Sequence, residues 1–161
     1  MKTFLIMRHA KSDYPPHISN DFDRPLNKRG AKDVPRMARV LRASAPVPEL
    51  ILSSPAQRAR QTAEGMELSG NILFDERLYL AAPATLIDVV AGLPDSGESA
   101  LVVGHNPGLE EWILQLCGCH LRLPTAGLAA LCLDMSRWME IHSARGQLQW
   151  FVNPRLVKAI T

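Results

Sequence analysis

Short apolar runs alternate with longer segments of helical spacing along most of this chain. Strand-like runs occupy residues 3–7, 50–53, 72–74 and 100–103. Apolar residues recur at helical spacing over residues 28–44, 56–68, 83–93 and 107–116. This alternation is typical of a mostly parallel sheet with helices on its faces. It predicts an α/β fold with three layers, α/β/α, around a mostly parallel central sheet.

Two parts of the chain depart from this alternation. After Pro124, residues 128–133 and 147–152 indicate two further strands, which we expect to form one or two antiparallel edges of the sheet. Pro35 lies inside the first helical pattern and removes one amide donor. We therefore expect the first helix to start late or to kink near this residue.

Length, composition and charge exclude several classes of protein. The 161 residues are 47% hydrophobic and 21% charged, as in soluble globular proteins, and fit one domain over residues 1–161. A net charge of +2 is too mild to indicate nucleic acid as a partner, and the basic run Arg36, Arg39 and Arg42 has the helical spacing that is typical of a solvated helix face. The run Phe4–Met7 is too short for a signal peptide, and no apolar stretch approaches the roughly 20 residues of a membrane span. We expect a cytoplasmic protein with no membrane partner.

Basic side chains follow three of the predicted strands. Arg8 and His9 come directly after the first strand, Arg58 follows the second at the start of a helix, and His105 follows Gly104 after residues 100–103. Ligand sites of open α/β sheets lie at the carboxyl ends of strands. The sequence therefore predicts that these four side chains meet in one pocket.

This set of side chains favours phosphoryl transfer. A neutral imidazole is a good nucleophile near pH 7, and guanidinium groups match phosphate oxygens and offset the charge of the transferring group. A second histidine adds electrostatic stabilisation at the phosphate oxygens. This chemistry implies no metal and no cofactor. Each residue alone is more often a structural loop residue, so the interpretation depends on their coincidence at successive strand ends.

The same residues lie in segments that resemble the histidine phosphatase superfamily, also called phosphoglycerate-mutase-like, and within it the small SixA-type phosphohistidine phosphatases. The similar segments are Arg8-His9-Ala10, Arg24-Pro25-Leu26-Asn27-Lys28-Arg29-Gly30, Ser54-Pro55-Ala56-Gln57-Arg58 with Thr62, and Gly104-His105-Asn106-Pro107. The resemblance covers nearly the whole chain. It implies a phosphoglycerate mutase-like fold, with His9 as the phosphorylated nucleophile and Arg8, Arg58 and His105 as the phosphate pocket.

One departure from the family pattern stands beside the predicted nucleophile. Ala10 replaces the commoner glycine, and its Cβ restricts the backbone conformations available there. The segment Pro124-Thr125-Ala126-Gly127 also resembles the small branch and is expected at the edge of the pocket.

The proton donor to the leaving group is predicted less directly. Glu76, in a segment resembling the region where some relatives carry an acid, is the candidate, and Asp21 and Asp23 in the loop after the first strand are weaker alternatives. An alkoxide needs such a donor more than an imidazole does. The alternative interpretation of Glu76 is a solvated carboxylate paired with Arg77.

The cysteines do not indicate a metal site. Cys117, Cys119 and His120 lack a second ligand pair at the spacing of structural zinc sites. We expect reduced thiols and no bound metal.

The sequence thus predicts an enzyme, a metal-independent phosphatase acting through a covalent phosphohistidine on His9. Its expected partner is a phosphorylated protein or a small phosphorylated molecule, with phosphohistidine of a protein favoured. Two alternatives stay open: a phosphomonoesterase for a small metabolite, and a catalytically silent module that binds phosphoproteins.

Overall fold

The computed structural model describes residues 1–161 and contains one six-stranded sheet. Its strands are β1 (Lys2–Arg8), β2 (Leu50–Ser53), β3 (Asn71–Phe74), β4 (Ser99–Gly104), β5 (Leu128–Leu133) and β6 (Gly146–Val152). Its α-helices are α1 (Lys28–Ser44), α2 (Gln57–Gly65), α3 (Pro83–Ala91), α4 (Gly108–Cys117) and α5 (Pro154–Ile160). Two 3₁₀ helices lie at Glu76–Leu78 and Trp138–His142.

The strand order is β3-β2-β4-β1-β5-β6. Parallel pairing joins β3, β2, β4 and β1, while β5 runs antiparallel to both β1 and β6. The prediction of a mostly parallel α/β fold is therefore confirmed. Strand β5 lies between β1 and β6, so β6 is the antiparallel edge strand of the sheet.

Alternate residues of the central strands pack into two separate hydrophobic cores. Phe4 and Ile6 of β1 pack into one core with residues of α3 and α4, whereas Leu5 and Met7 pack into the other with residues of α1 and α2. Side chains of a strand alternate between the faces of its sheet, so a continuous apolar run such as Phe4–Met7 fits a strand covered on both faces. The helices thus form the two outer layers.

Helix α1 begins at Lys28 and runs through Pro35 without interruption, so the expected late start is wrong. The side chain of Asn27 caps its first turn by accepting a hydrogen bond from the amide of Gly30 at 2.9 Å. Its buried face, which includes Val34, Met37 and Leu41, continues on both sides of the proline. Packing of that face outweighs the single missing amide bond.

The short helix α5 has no counterpart in the sequence predictions. Asn153 caps it by accepting from the amide of Leu156, and Pro154 occupies its first turn.

No helix of the protein combines the length and the apolar character that crossing a membrane requires.

Candidate active site

A polar cleft of about 280 Å³ opens at the carboxyl ends of β1 and β4, beside the start of α2. Its walls are almost entirely polar or charged. The residues that line it are Arg8, His9, Lys11, Ser12, Asp21, Arg24, Arg58, Leu80, His105, Asn106 and Thr125. The four side chains predicted to share a pocket therefore meet in one place.

His9 is held with one ring nitrogen directed toward the guanidinium of Arg58. Its Nδ1 lies 2.8 Å from the carbonyl oxygen of Ala10, and its Nε2 accepts from the Nε of Arg58 at 3.3 Å. An accepting Nε2 requires the proton to sit on Nδ1, which then donates to the Ala10 carbonyl. The lone pair of Nε2 is therefore available to an electrophile in the cleft.

The backbone after β1 is fixed from two sides. The amide of His9 donates to the carbonyl of Gly104 on β4, and the amide of Ala126 donates to the carbonyls of Arg8 and His9. Ala126 adopts a left-handed conformation with φ of 59°. The segment Pro124–Gly127, predicted at the pocket edge, thus supports the backbone at His9 and places Thr125 in the cleft wall.

Arg58 bridges the two histidines and the loop after β1. Its Nη2 lies 3.3 Å from Nδ1 of His105 and 2.9 Å from a carboxylate oxygen of Asp21. Its Nη1 donates to the Asp21 carbonyl at 2.7 Å. The hydroxyl of Tyr79 donates to the same carboxylate at 2.6 Å. Asp21 therefore orients Arg58, an arrangement that the aperiodic loop sequence did not reveal.

His105 is anchored on its far side by Ser54. Nε2 of His105 lies 2.8 Å from the Ser54 hydroxyl, and the rings of His9 and His105 are 5.2 Å apart. Because Arg58 donates to Nδ1, the imidazole proton sits on Nε2 and donates to Ser54. This contact explains why a serine precedes the proline in the segment containing Arg58.

Both imidazoles are held in the neutral form. Burial, aided by the neighbouring Arg58, lowers the pKa of His9 to about 4. Burial, aided by the nearby His9 and Arg58, lowers the pKa of His105 to about 3. A buried cationic imidazole beside guanidinium groups is unfavourable, so His9 is ready to act as a nucleophile at pH 7.

Arg8 carries a hydrogen-bond donor with no partner in the protein. Its Nη1 donates to the Leu123 carbonyl at 3.1 Å, whereas its buried Nε has no acceptor. Burial lowers the pKa of Arg8, while Glu110 nearby acts in the opposite direction. Glu110 also accepts from Asn106 at 2.8 Å and from the Leu123 amide at 2.6 Å. This pair of contacts fixes the cleft wall next to Arg8.

Ala10 fits its position without strain. It is fully buried, is absent from the residues with positive φ, and donates its amide to the hydroxyl of Thr62 at 2.9 Å. Thr62 in turn donates to the Arg58 carbonyl at 2.7 Å. The threonine four residues after Arg58 therefore joins α2 to the segment that follows β1.

The candidate proton donors lie in different surroundings. Glu76 is exposed on a 3₁₀ helix and does not line the cleft. Arg77 pairs with Asp75 at 2.6 Å instead. Asp23 is exposed and accepts from Asn20.

Asp21 is the one of these carboxylates that lies in the cleft. Although burial opposes it, hydrogen bonds from Tyr79, Arg24 and Arg58 hold the pKa of Asp21 well below its usual range. Asp21 is therefore ionised at neutral pH and has no proton to donate.

The cysteines Cys117, Cys119 and Cys132 are free thiols. No three side chains of the His, Cys, Asp or Glu type are grouped in a way that would hold a metal ion.

The fold and the cleft define a class of protein, an α/β domain with a neutral histidine among cationic donors, as phosphoryl transfer requires. Residues 4–79 match the family described as the histidine phosphatase superfamily (branch 1). An uncharacterized protein of Mycobacterium tuberculosis strain H37Rv is 34% identical over 92% of this chain and the whole of its own length.

Two solved structures are closely similar in fold. A candidate phosphohistidine phosphatase SixA from Agrobacterium tumefaciens is 28% identical with a TM-score of 0.81, over 95% of this chain and 98% of its own. A candidate phosphohistidine phosphatase SixA from Nakamurella multipartitia is 24% identical with a TM-score of 0.88, over 95% of this chain and 96% of its own. The chain belongs to the histidine phosphatase superfamily, in its SixA-type branch.

Proposed function

We propose that this protein hydrolyses phosphohistidine on a cytoplasmic phosphoprotein through a covalent phosphohistidine on His9, without a metal ion. The observation that carries the proposal is the neutral His9 Nε2, 3.3 Å from Arg58 and in one cleft with Arg8 and His105. The similarity to proteins described as SixA phosphohistidine phosphatases supports this choice of substrate.

In the first step, the lone pair of His9 Nε2 attacks phosphorus opposite the leaving nitrogen. The new bond joins Nε2 to phosphorus, and the bond from phosphorus to the substrate imidazole breaks. The proton on His9 Nδ1 stays hydrogen-bonded to the Ala10 carbonyl, which stabilises the positive charge that the ring acquires.

Arg8 and Arg58 hold the phosphoryl oxygens in this step. The unpartnered Nε of Arg8 and the Nε of Arg58, released from His9 when its lone pair attacks, both supply donors to these oxygens. His105 adds a further contact, and a bound dianion favours its protonated form by charge attraction.

In the second step, water attacks phosphorus of the phosphorylated His9. The bond between phosphorus and Nε2 breaks, its electron pair returns to the imidazole, and both protons of the water end on the phosphate product, which leaves as H₂PO₄⁻. Arg8 and Arg58 stabilise the same distribution of charge as in the first step.

The chemistry of the leaving group favours a phosphoramidate. Asp21 is the only carboxylate among the residues that line the cleft, and its lowered pKa keeps it ionised. A phosphohistidine whose other ring nitrogen carries a proton leaves as neutral imidazole and needs no acid, whereas an alkoxide does. The role of Glu76 as a donor to alkoxides stays a prediction.

Access to the cleft is compatible with a side chain on a protein. Leu80 lines the cleft and is 56% exposed, so the cleft reaches the protein surface. A phosphorylated side chain on a partner protein can therefore enter from this side.

Phosphate release from two substrates without added metal tests the proposal. The substrates are a phosphohistidine peptide and para-nitrophenyl phosphate, compared for the unaltered protein and His9→Ala. We expect a higher kcat/KM on the peptide and loss of both activities in His9→Ala. A preference for small phosphate esters would support the metabolite phosphomonoesterase instead, and the absence of any turnover would support a binding module.

A further inference from the structure

Helices α1 and α5 concentrate the positive charge of this chain. Their 24 residues contain eight of the 18 Lys and Arg but one of the 16 Asp and Glu. The other residues therefore carry ten cationic and 15 acidic side chains. The net charge of +2 therefore combines a strongly basic pair of helices with a remainder of the chain that is net acidic.

Five of these cations surround one groove of about 300 Å³ between the two helices. The residues that line this basic groove are Lys28, Arg29, Lys32, Arg36 and Lys158. Asp33, only 1% exposed, lies beneath and forms ion pairs with Lys158 at 3.0 Å, with Arg36 at 3.2 Å and with Arg29 at 3.5 Å. One carboxylate thus faces five cations, and Lys28 and Lys32 form no ion pair.

Apart from the ion pairs of Asp33, this arrangement does not serve the stability of α1. Lys28 and Arg29 occupy the first turn, where the helix dipole disfavours cations, and that turn contains no acidic residue. Lys28, Lys32 and Arg36 follow one another at spacings of four, where like charges repel. An anion from outside the protein would relieve both effects.

The basic groove begins beside the catalytic cleft. Helix α1 starts at the edge of the sheet where β1 ends, and its cap residue Asn27 donates its amide to the Lys11 carbonyl. Lys11 and Arg24 line the cleft itself. Cationic side chains therefore continue from the cleft wall through Lys11 to Lys28 and along α1.

We propose that the basic groove binds an acidic segment of the phosphoprotein whose phosphorylated histidine enters the cleft. The inference rests on the proposed function and adds a substrate class, phosphoproteins with acidic residues near the phosphorylated site. Exposed carboxylates of such a partner complement the unpaired Lys28 and Lys32. The long-range attraction also steers the partner toward the cleft.

Two other anionic partners fit the groove less well. None of the residues that line it is aromatic, so it offers no surface on which bases of a nucleic acid would stack. None of the five residues that line the groove is apolar, so the groove itself has no side chain that could insert into a membrane surface.

Kinetics with matched peptides test the inference. One phosphohistidine peptide carries glutamate tracts on both sides of the site, and the other carries glutamine at the same positions. The test variant is Lys28→Glu with Lys32→Glu. The control is Arg137→Glu with Arg145→Glu, which makes an equal change of charge at exposed residues. These control residues lie between β5 and β6, at the end of the sheet opposite the cleft.

For the unaltered protein and the control, we expect KM to be about tenfold lower on the glutamate peptide than on the glutamine peptide. The advantage disappears in the Lys28 and Lys32 variant, with kcat and the turnover of para-nitrophenyl phosphate unchanged. It also shrinks at 0.5 M salt, since salt screens exposed charges. Equal KM values for the two peptides on the unaltered protein would overturn the inference.

A binding measurement separates this inference from the proposed function. The fluorescence anisotropy of a labelled, unphosphorylated glutamate peptide should show binding to the unaltered protein and at least tenfold weaker binding to the Lys28 and Lys32 variant. Tighter binding of a single-stranded RNA or of vesicles containing anionic phospholipid would overturn it. Failure of the proposed function appears instead as the absence of hydrolysis of both phosphohistidine peptides by the unaltered protein.

Discussion

Strand β1 carries a cationic residue at each of its ends, and the two ends differ in how the charge is satisfied. Lys2, 1% exposed, donates to the carbonyls of Asp95 at 3.0 Å and Gly97 at 2.9 Å and to the Glu98 carboxylate at 3.0 Å. Its ammonium group has three donors and finds three acceptors. At the other end, the Nε of Arg8 is buried without a partner.

The comparison distinguishes a charge whose hydrogen bonds are all made within the protein from one that keeps a donor without a partner. The ammonium group of Lys2 makes all its hydrogen bonds within the protein, and these bonds join β1 to the segment that precedes β4. The cleft end gathers Arg8 and Arg58 beside two histidines whose pKa values are lowered by burial and by nearby positive charge. Only an added anion completes it, as expected for a site that receives phosphate.

Arg58→Lys, at the cleft end, is expected to have the largest effect on activity relative to its effect on stability. A lysine keeps the charge near Asp21 but loses the planar set of donors that contacts both histidines. We expect kcat/KM to fall about 100-fold, and the free energy of unfolding to fall by about 1–2 kcal/mol because Arg58 is buried and hydrogen-bonded. Steady-state kinetics and urea unfolding check both values. Activity within threefold of the unaltered protein would remove Arg58 from the phosphate pocket.

Lys2→Met should produce the opposite pattern. The variant leaves two carbonyls and a carboxylate without their donor, so we expect the free energy of unfolding to fall by about 2–3 kcal/mol. Because Lys2 lies at the far end of β1, kcat/KM should stay within twofold at a temperature where the variant is folded. A large loss of activity in the folded variant would show that the two ends are coupled.

The pH dependence of kcat/KM examines the neutral histidines. With the pKa of His9 at about 4, the nucleophile stays unprotonated through neutral pH, and kcat/KM should fall tenfold per pH unit only below about pH 4. The measurement uses para-nitrophenyl phosphate, corrected for ionisation of the substrate, with circular dichroism as the control for folding. An acid limb at the ordinary histidine pKa near 6.5 would contradict the burial effect.

The same shifts affect stability with a defined sign. The folded pKa values of His9 and His105 lie below the ordinary 6.5, so protons bind more readily to the unfolded chain. This part of the stability is fully present above about pH 6.5 and is lost as the pH falls toward about 3.

Of these variants, Glu76→Gln is expected to have the smallest effect on phosphohistidine hydrolysis. Glu76 is exposed and outside the cleft, so its loss should change phosphohistidine hydrolysis by less than twofold. The matched comparison is an alkyl phosphate such as phosphoserine. A tenfold or larger loss confined to the alkyl ester would identify Glu76 as the donor to alkoxides.

Much of the fold was predictable because the strands are covered on both faces. A continuous apolar run such as Leu128–Leu133 marks a strand directly, and the bounds of this strand and of α1 agree with the prediction. Helix α5 was missed because it is only seven residues long and exposes Leu156 and Ile160. Its cap and proline, Asn153 and Pro154, were the available signal.

The meeting of Arg8, His9, Arg58 and His105 followed from their positions at strand ends, since parallel strands bring these ends to one edge. The part played by Asp21 did not follow. It lies in a loop without periodicity, and its place is set by contacts with Arg58 and Tyr79, which are 37 and 58 residues away in sequence. Such contacts leave no pattern in the local sequence.

The most direct test of the covalent step is to stop the reaction and find the phosphate on the protein. The unaltered protein is mixed briefly with a phosphohistidine peptide, quenched in alkali and analysed by mass spectrometry, with His9→Ala as the control. We predict an alkali-stable, acid-labile phosphoryl group on His9 of the unaltered protein and none on the variant. Rapid turnover with no phosphoryl group on His9 at any time, or equal labelling of the variant, would contradict the covalent mechanism.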